Sequence, residues 1–387
     1  MTTPRHLSGI TGSLVPIKGR ECVLQSQAEK TPAIYTLPPE LLSLVIIYHA
    51  INCPPGHPIF DEGSGSTQRF VRPIQRKLGW IYITHVSSCF RTIAIGESHL
   101  WRTITLTLGP QWTNIMLSRA HLQPLTLTSG DASCAWQYKP AITRTMFSFL
   151  STPNTFARVQ SIDITASRAG LRLLADHLSL PAPILESISV ALPPGAPAGA
   201  WTLLPETLAH GKPCVRRVRL HGCALTWAAL RFAALEHLAV TMPPPPQDGA
   251  GLIVSQLPTY TDLLDLLTLV SNNLRTLILK HCIPSEHQAL RSGRVEEVDL
   301  CRLEYVDIVA PAQHCCSLLS SIIVPVSADV RIAWHWPLPE DRRHIIPWVR
   351  KTYVDKAARK HFPPTISFYY PTIEPDAPVR LYLQTPG

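Results

Sequence analysis

The sequence predicts a mixed α/β chain: a short helical segment near the N-terminus, then an irregular stack of units that each supply one strand and one return. Three observations carry this prediction. Apolar residues fall at helical spacing over the first hundred or so positions and recur afterwards as a strand pattern with a long period. Proline is abundant, 37 of 387 residues, against a usual share of about 5%. It breaks helix interiors and central strands, so the elements should be short. Hydrophobic residues make up 45% and charged residues 16%, which excludes a largely disordered chain because there is ample apolar side chain to bury.

In chain order, residues 1–33 are polar and weakly patterned and read as a flexible leader. Residues 34–102 form the helical segment. Thr36 suits a helix cap, Pro38 and Pro39 suit the first turn, and Glu40 suits the positive end of the dipole. The run Leu41, Leu42, Leu44, Val45, Ile46, Tyr48, His49 is apolar on most faces, so something else has to cover part of it. Pro54, Pro55, Gly56 and Pro58, then Gly63-Ser-Gly-Ser66, mark a loop insertion over 52–77. A second helical block over Leu78–Ala94 carries Leu78, Ile81, His85, Val86, Phe90 and Ile93, and Leu100-Trp101 closes the segment.

The period then changes over residues 103–340. Leu274-x-x-Leu277-x-Leu279-x-x-Cys282 fits the leucine-rich repeat frame L-x-x-L-x-L-x-x-N/C, and Val215-x-x-Val218-x-Leu220-x-x-Cys223 fits it with valines. Without the last position the frame recurs at Val159/Ile162/Ile164, Leu185/Ile188/Val190, Leu235/Leu238/Val240, Val295/Val298/Leu300 and Leu319/Ile322/Val324, with further copies beginning at Trp101 and Leu122. Successive starts from Val159 lie 26, 30, 20, 39, 21 and 24 residues apart. The longest gap holds Pro243-Pro-Pro-Pro246 and reads as a surface insertion. Stacked units bury what none can bury alone, so the expected architecture is an irregular leucine-rich-repeat solenoid. Ala169–Ala175 and Asp262–Leu269 read as helical returns. The positions between the inward residues should line an exposed face: Arg216, Arg217, Arg219; Glu236, His237, Ala239; Arg275, Thr276, Ile278; Glu296, Glu297, Asp299.

Residues 341–387 read as a basic helix and a proline-rich tail, the latter extended and partly disordered. Between Asp341 and His361 stand seven Lys/Arg with Trp348 and Tyr353 among them, and the chain carries a net charge of +8. That pattern suits a solvated capping helix, with phosphate contact as the alternative. The ten cysteines include no C-x-x-C pair, and Cys315-Cys316 reads as buried thiols. No apolar run approaches the about 20 residues of a membrane span. The first twenty residues lack a secretory apolar core, so the expected address is cytoplasmic or nuclear.

Leu37-Pro-Pro-Glu-Leu-Leu42 with Ile46 resembles the opening helix of an F-box. Val86-Ser-Ser-Cys-Phe-Arg-Thr-Ile-Ala94 is similar to that family's V-C-R-R-W-R-x-I-A, with Phe90 at the tryptophan, and Leu100-Trp101 follows. The Leu78–Val86 run, which includes Trp80, resembles the F-box-like domains of mushroom-forming fungi, where diverged leucine-rich repeats also follow. The resemblance implies a substrate-recognition subunit of a Skp–cullin–F-box ubiquitin ligase. Its partners would be a Skp-type adaptor, the cullin scaffold and an unknown target protein. The adaptor-binding residues so implied are Leu37, Pro38, Leu41, Leu42, Ile46, Trp80, Val86, Phe90, Ala94 and Trp101.

The short catalytic signatures are absent from the sequence: no G-x-S-x-G, H-E-x-x-H, phosphate-binding lysine loop, G-x-G-x-x-G or EF-hand loop. The expectation is a protein with no catalytic residues, no cofactor and no metal site. Two other readings stay open: a leucine-rich interaction scaffold with a degenerate box and no ligase role, and a basic nucleic-acid-binding protein.

Overall fold

The computed structural model describes residues 37–56, 78–129, 154–166, 180–192, 212–225, 227–243, 259–284, 297–325 and 327–334, a few isolated positions, and the strand backbones 202–203, 365–369 and 379–384. The leader over 1–33, Thr36, most of the 52–77 insertion and the basic helix over 341–361 lie outside the described residues.

Helix α1 (Pro39–Asn52) starts on prolines, with Glu40 in its first turn. Its apolar side chains are spread almost evenly around the axis, and tertiary packing selects which are buried: Leu42 and Ile46, at 1% and 0% exposure. The predicted second helical block divides. A 3-10 helix (Gly79–His85) comes first and α2 (Ser88–Gly96) second. Ser87 sits between them in extended conformation, its Oγ accepting from the Phe90 N–H at 3.3 Å, so a cap interrupts what periodicity reads as one helix. Gly79 has φ +55°, and a Cβ there would stand 2.5 Å from the Cys53 carbonyl, which is the close approach that returns the chain to α1.

After α3 (Ser98–Trp101) the chain enters β1 (Thr103–Thr105), passes through α4 (Pro110–Arg119) and continues into β2 (Leu125–Thr128), β3 (Val159–Thr165) and β4 (Ser187–Ala191). Then come β5 (Thr202–Leu203), β6 (Arg217–His221), β7 (Ala224–Leu225), β8 (His237–Thr241), α5 (Tyr260–Val270) and β9 (Thr276–Lys280). The remainder is β10 (Val298–Asp299), β11 (Tyr305–Val309), α6 (Ala312–Ser321), β12 (Ile322–Ile323), β13 (Asp329–Trp334), β14 (Thr365–Tyr369) and β15 (Val379–Gln384).

One open, 11-stranded sheet runs β1-β2-β3-β4-β6-β8-β9-β11-β13-β15-β14. From β1 to β13 every neighbouring pair is parallel. Register aligns Ile162, Ile188, Val218, Leu238, Leu277, Val306 and Val330 in one row, and Ile164, Val190, Leu220, Val240, Leu279, Ile308 and Ile332 in another. All are at most 4% exposed. A single face is therefore apolar, strand after strand, as period-2 alternation requires. Leu185, Val215, Leu235, Leu274 and Leu303 lead into their strands, equally buried.

The predicted return Asp262–Leu269 falls within α5, which carries a capping box between Thr259 and Asp262; of Ala169–Ala175 only Gly170, Leu171 and Leu174 are among the described residues, and these are helical and buried. Cys223 and Cys282 take the last position of the frame. Each follows a residue of positive φ, Gly222 and His281, and each donates its S–H to a strand carbonyl, His221 O at 3.4 Å and Val240 O at 3.5 Å. Burial pushes both thiols up to about 12, so they stay protonated donors.

Three expectations are corrected. The copies at Val295 and Leu319 do not enter the main sheet: Val298 and Ile322 belong to β10 and β12, which pair with each other. The strand of that region starts later, at Leu303/Val306/Ile308, because two apolar frames follow one another between 295 and 308 and only the second aligns with β9. Leu122, read as a frame start, is 90% exposed although Leu125 and Leu127 behind it are buried. The tail is not simply extended: β15 pairs antiparallel with β13, and β14 with β15.

Candidate functional site

Two surfaces stand out. On α1, Leu41, Leu44, Val45 and Tyr48 recur at i, i+3, i+4, i+7 and are 46%, 60%, 43% and 72% exposed, with Ile51 continuing the stripe. A helix apolar all round buries one face on its own protein and leaves the other in water unless a partner takes it. The helix is held rigidly enough to present that stripe. Leu42 and Ile46 anchor it, and Ser43 Oγ donates to Glu97 Oε2 at 3.1 Å, tying α1 to the end of α2. Tyr82 and Val86 in the neighbouring 3-10 segment are also exposed large apolar residues.

The ten residues named from the sequence divide between two roles. Pro38, Leu41 and Val86 are exposed, and Leu37 is half-buried against the core. Leu42, Ile46, Trp80, Phe90, Ala94 and Trp101 are buried in the chain's own core, at most 3% exposed, and are not available as direct contacts. Trp101 is the centre of that group. Its indole N–H donates to the Ala94 carbonyl at 2.7 Å, Trp80 lies edge-on at 4.8 Å, and the Arg119 guanidinium covers the ring at 4.3 Å. These residues position α1. Sequence reasoning missed Leu44, Val45, Tyr48 and Tyr82 as surface candidates, though the spacing of the first three with Leu41 was a readable signal.

The second surface is the polar face of the sheet. As expected, Arg217 and Arg219 are exposed, whereas His237, Ala239, Thr276 and Ile278 are half-buried. Glu297 and Asp299 lie at β10 and not on this face, Glu296 is outside the described residues, and Tyr305 and Asp307 of β11 occupy the corresponding rows. Along the leading edge, Glu186, Arg216, Glu236, Arg275 and Glu304 alternate in sign from strand to strand. Arg216 pairs with Glu236 at 3.0 Å and Arg275 with Glu304 at 2.7 Å. Further in, Lys280 pairs with Asp307 at 2.6 Å, and Arg331 reaches Asp329 at 3.3 Å and lies over the Tyr305 ring. Burial, and then the neighbouring Asp307, push the Tyr305 phenol up.

Among the described residues no group of three or more His, Cys, Asp or Glu stands together as a metal-binding set, and no helix is long and apolar enough to cross a membrane. No protein-family model matches the chain, and no curated protein matches it.

Proposed function

We propose that the chain is an F-box-like substrate receptor: α1 and its supporting helices dock on a Skp-type adaptor, and the sheet belongs to an irregular leucine-rich solenoid that selects a protein for ubiquitination. The observation that carries this reading is the exposed stripe Leu41, Leu44, Val45, Tyr48, on a helix whose other face is locked into the core. The F-box-like residues Leu37-Pro-Pro-Glu-Leu-Leu42 and Val86–Ala94 lie on that same unit. The solenoid reading draws on parallel strands that add in chain order, with a buried cysteine at the repeat-frame position in two of them. The receptor transfers nothing itself; its effect is to raise the local concentration of a target's lysines near the ligase. Its action is set in the cytoplasm or nucleus. Co-purification tests the reading: the wild-type chain should retain the host's Skp-type adaptor, and Leu44→Asp should lose it while remaining folded. A folded wild-type chain that does not retain the adaptor contradicts the proposal.

A further inference from the structure

On the sheet face the basic side chains of β9 and β13 are paired within the chain, whereas those of β6 are not. Arg217 and Arg219 are exposed and alternate on one face, and their guanidinium groups make no hydrogen bond, ion pair or ring contact among the described residues. Arg331, in the Arg219 row, and Lys280, one row further along, are each neutralised within the chain.

The surroundings leave those two guanidinium groups open. Register sets Arg219 between Ser189 and Ala239, and Arg217 between Ser187 and His237. Serine and alanine are too short to shield an arginine or to bond with its five donors. His237 is occupied with the Thr276 hydroxyl at 2.9 Å. The nearest carboxylate in the Arg219 row is Asp163, two strands away, which is roughly 9–10 Å between backbones, and no ion pair joins them. On the other side the next is Asp307, already bonded to Lys280.

We infer that β6 and the small residues beside it form the docking site for an extended, acidic segment of a partner protein. Arg217 and Arg219 stand two residues apart on a strand, so their backbones are separated by about 6.7 Å, the distance that also separates alternate side chains of an extended peptide. A segment with carboxylates at alternate positions matches both cations at once, each by a forked guanidinium–carboxylate contact. A nucleic acid fits less well. Its phosphates continue past the pair of arginines toward β3, where Asp163 stands exposed in the Arg219 row. This deepens the receptor proposal by naming the chemistry of its target, but the site is tested without the adaptor.

The experiment is fluorescence anisotropy of the full chain with a labelled extended peptide carrying glutamate at alternate positions, at low salt. The comparison peptide has glutamine at those positions. The glutamate peptide should bind, the glutamine peptide should not, and Arg217→Glu with Arg219→Glu should weaken binding by about tenfold or more. Arg302→Glu, exposed in the turn before β11 and three strands from β6, should leave binding unchanged. A version of the peptide with lysine in place of glutamate should bind the double variant better than it binds wild type. Equal binding of both peptides, indifference to the double variant, or tighter arginine-dependent binding of a single-stranded oligonucleotide of the same charge each overturns the proposal. Adaptor co-purification should be the same for wild type and the double variant, so failure here and failure of the adaptor reading are separate results.

Discussion

Leu277 and Ile278 are neighbours on β9 with opposite fates, and truncating them tests the sheet directly. Leu277 is 0% exposed and stands in register between Leu238 and Val306, also 0% exposed. Leu277→Ala removes three carbons, worth about 2.4 kcal/mol at ~0.8 kcal/mol each, and leaves a cavity that two hydrogen-bonded neighbouring strands cannot close, so the cost should lie within about 2–5 kcal/mol. Ile278 faces the other way and is half-buried. Ile278→Thr keeps the β-branch and should cost about 1 kcal/mol or less. Arg275→Ala breaks an ion pair whose partners are 46% and 64% exposed, so its cost should be at most about 1 kcal/mol. Urea unfolding followed by circular dichroism reads all three as shifts of the midpoint. The same contrast should hold on β6 for Leu220→Ala against Arg219→Ala. If the alanine at Leu277 is harmless, or the changes at Ile278 and Arg219 cost as much as the leucines, the inward and outward rows of β6 and β9 are wrong.

The same geometry fixes further outcomes. Cys223, Cys282 and Cys315 are buried, whereas Cys53, Cys89, Cys214 and Cys301 are exposed, so a thiol reagent should label the second group in the native state and the first only on unfolding. The two thiols pushed up to about 12 bind protons more tightly folded than unfolded, so their contribution is complete below pH 9 and lost as pH rises toward 12; alanine at both sites should flatten that loss. Lys212 is 1% exposed and its burial pushes its amine down to about 8 from 10.5, so the penalty of holding its charge is present below pH 8 and vanishes as pH rises to 10.5. Lys212→Met should therefore lose stability relative to wild type across that window, as measured by denaturant midpoints at each pH. Thr259→Ala removes the side-chain half of the α5 capping box, the Thr259 Oγ1 that accepts from the Asp262 N–H, and should cost about 1 kcal/mol by the same assay, with no change in adaptor retention.

The strands were legible because one side chain in two carries the signal. Val218 and Leu220 bracket the charged Arg219, and Leu277 and Leu279 follow Leu274 in the repeat frame, so their spacing survives without knowledge of neighbours. Where apolar residues crowd, the signal becomes ambiguous: Val298, Leu300, Leu303, Val306 and Ile308 permit two frames, and pairing with β9 selects the later. The tail strands were missed because proline content suggested extension, while their pairing depends on β13 far away in sequence. On α1 the difficulty is sharper. With no polar face to orient the helix, the sequence implied that some apolar side chains are left over but not which. Packing buried Leu42 and Ile46 and left Leu41, Leu44, Val45 and Tyr48 outside. Phe90 and Trp101 were legible as large anchors, but they hold the chain's own core.

The receptor account therefore rests on the outer face of α1, and calorimetric titration of a Skp-type adaptor into the purified chain tests it most directly. The account predicts saturable binding at micromolar or tighter concentration to wild type. Leu44→Asp or Tyr48→Ala should each weaken it by ~1–3 kcal/mol, as desolvated anchors do, with unchanged circular dichroism. The buried Leu42→Asp should instead unfold the helical segment. No heat with the folded wild-type chain, or equal binding by wild type and Leu44→Asp, contradicts it.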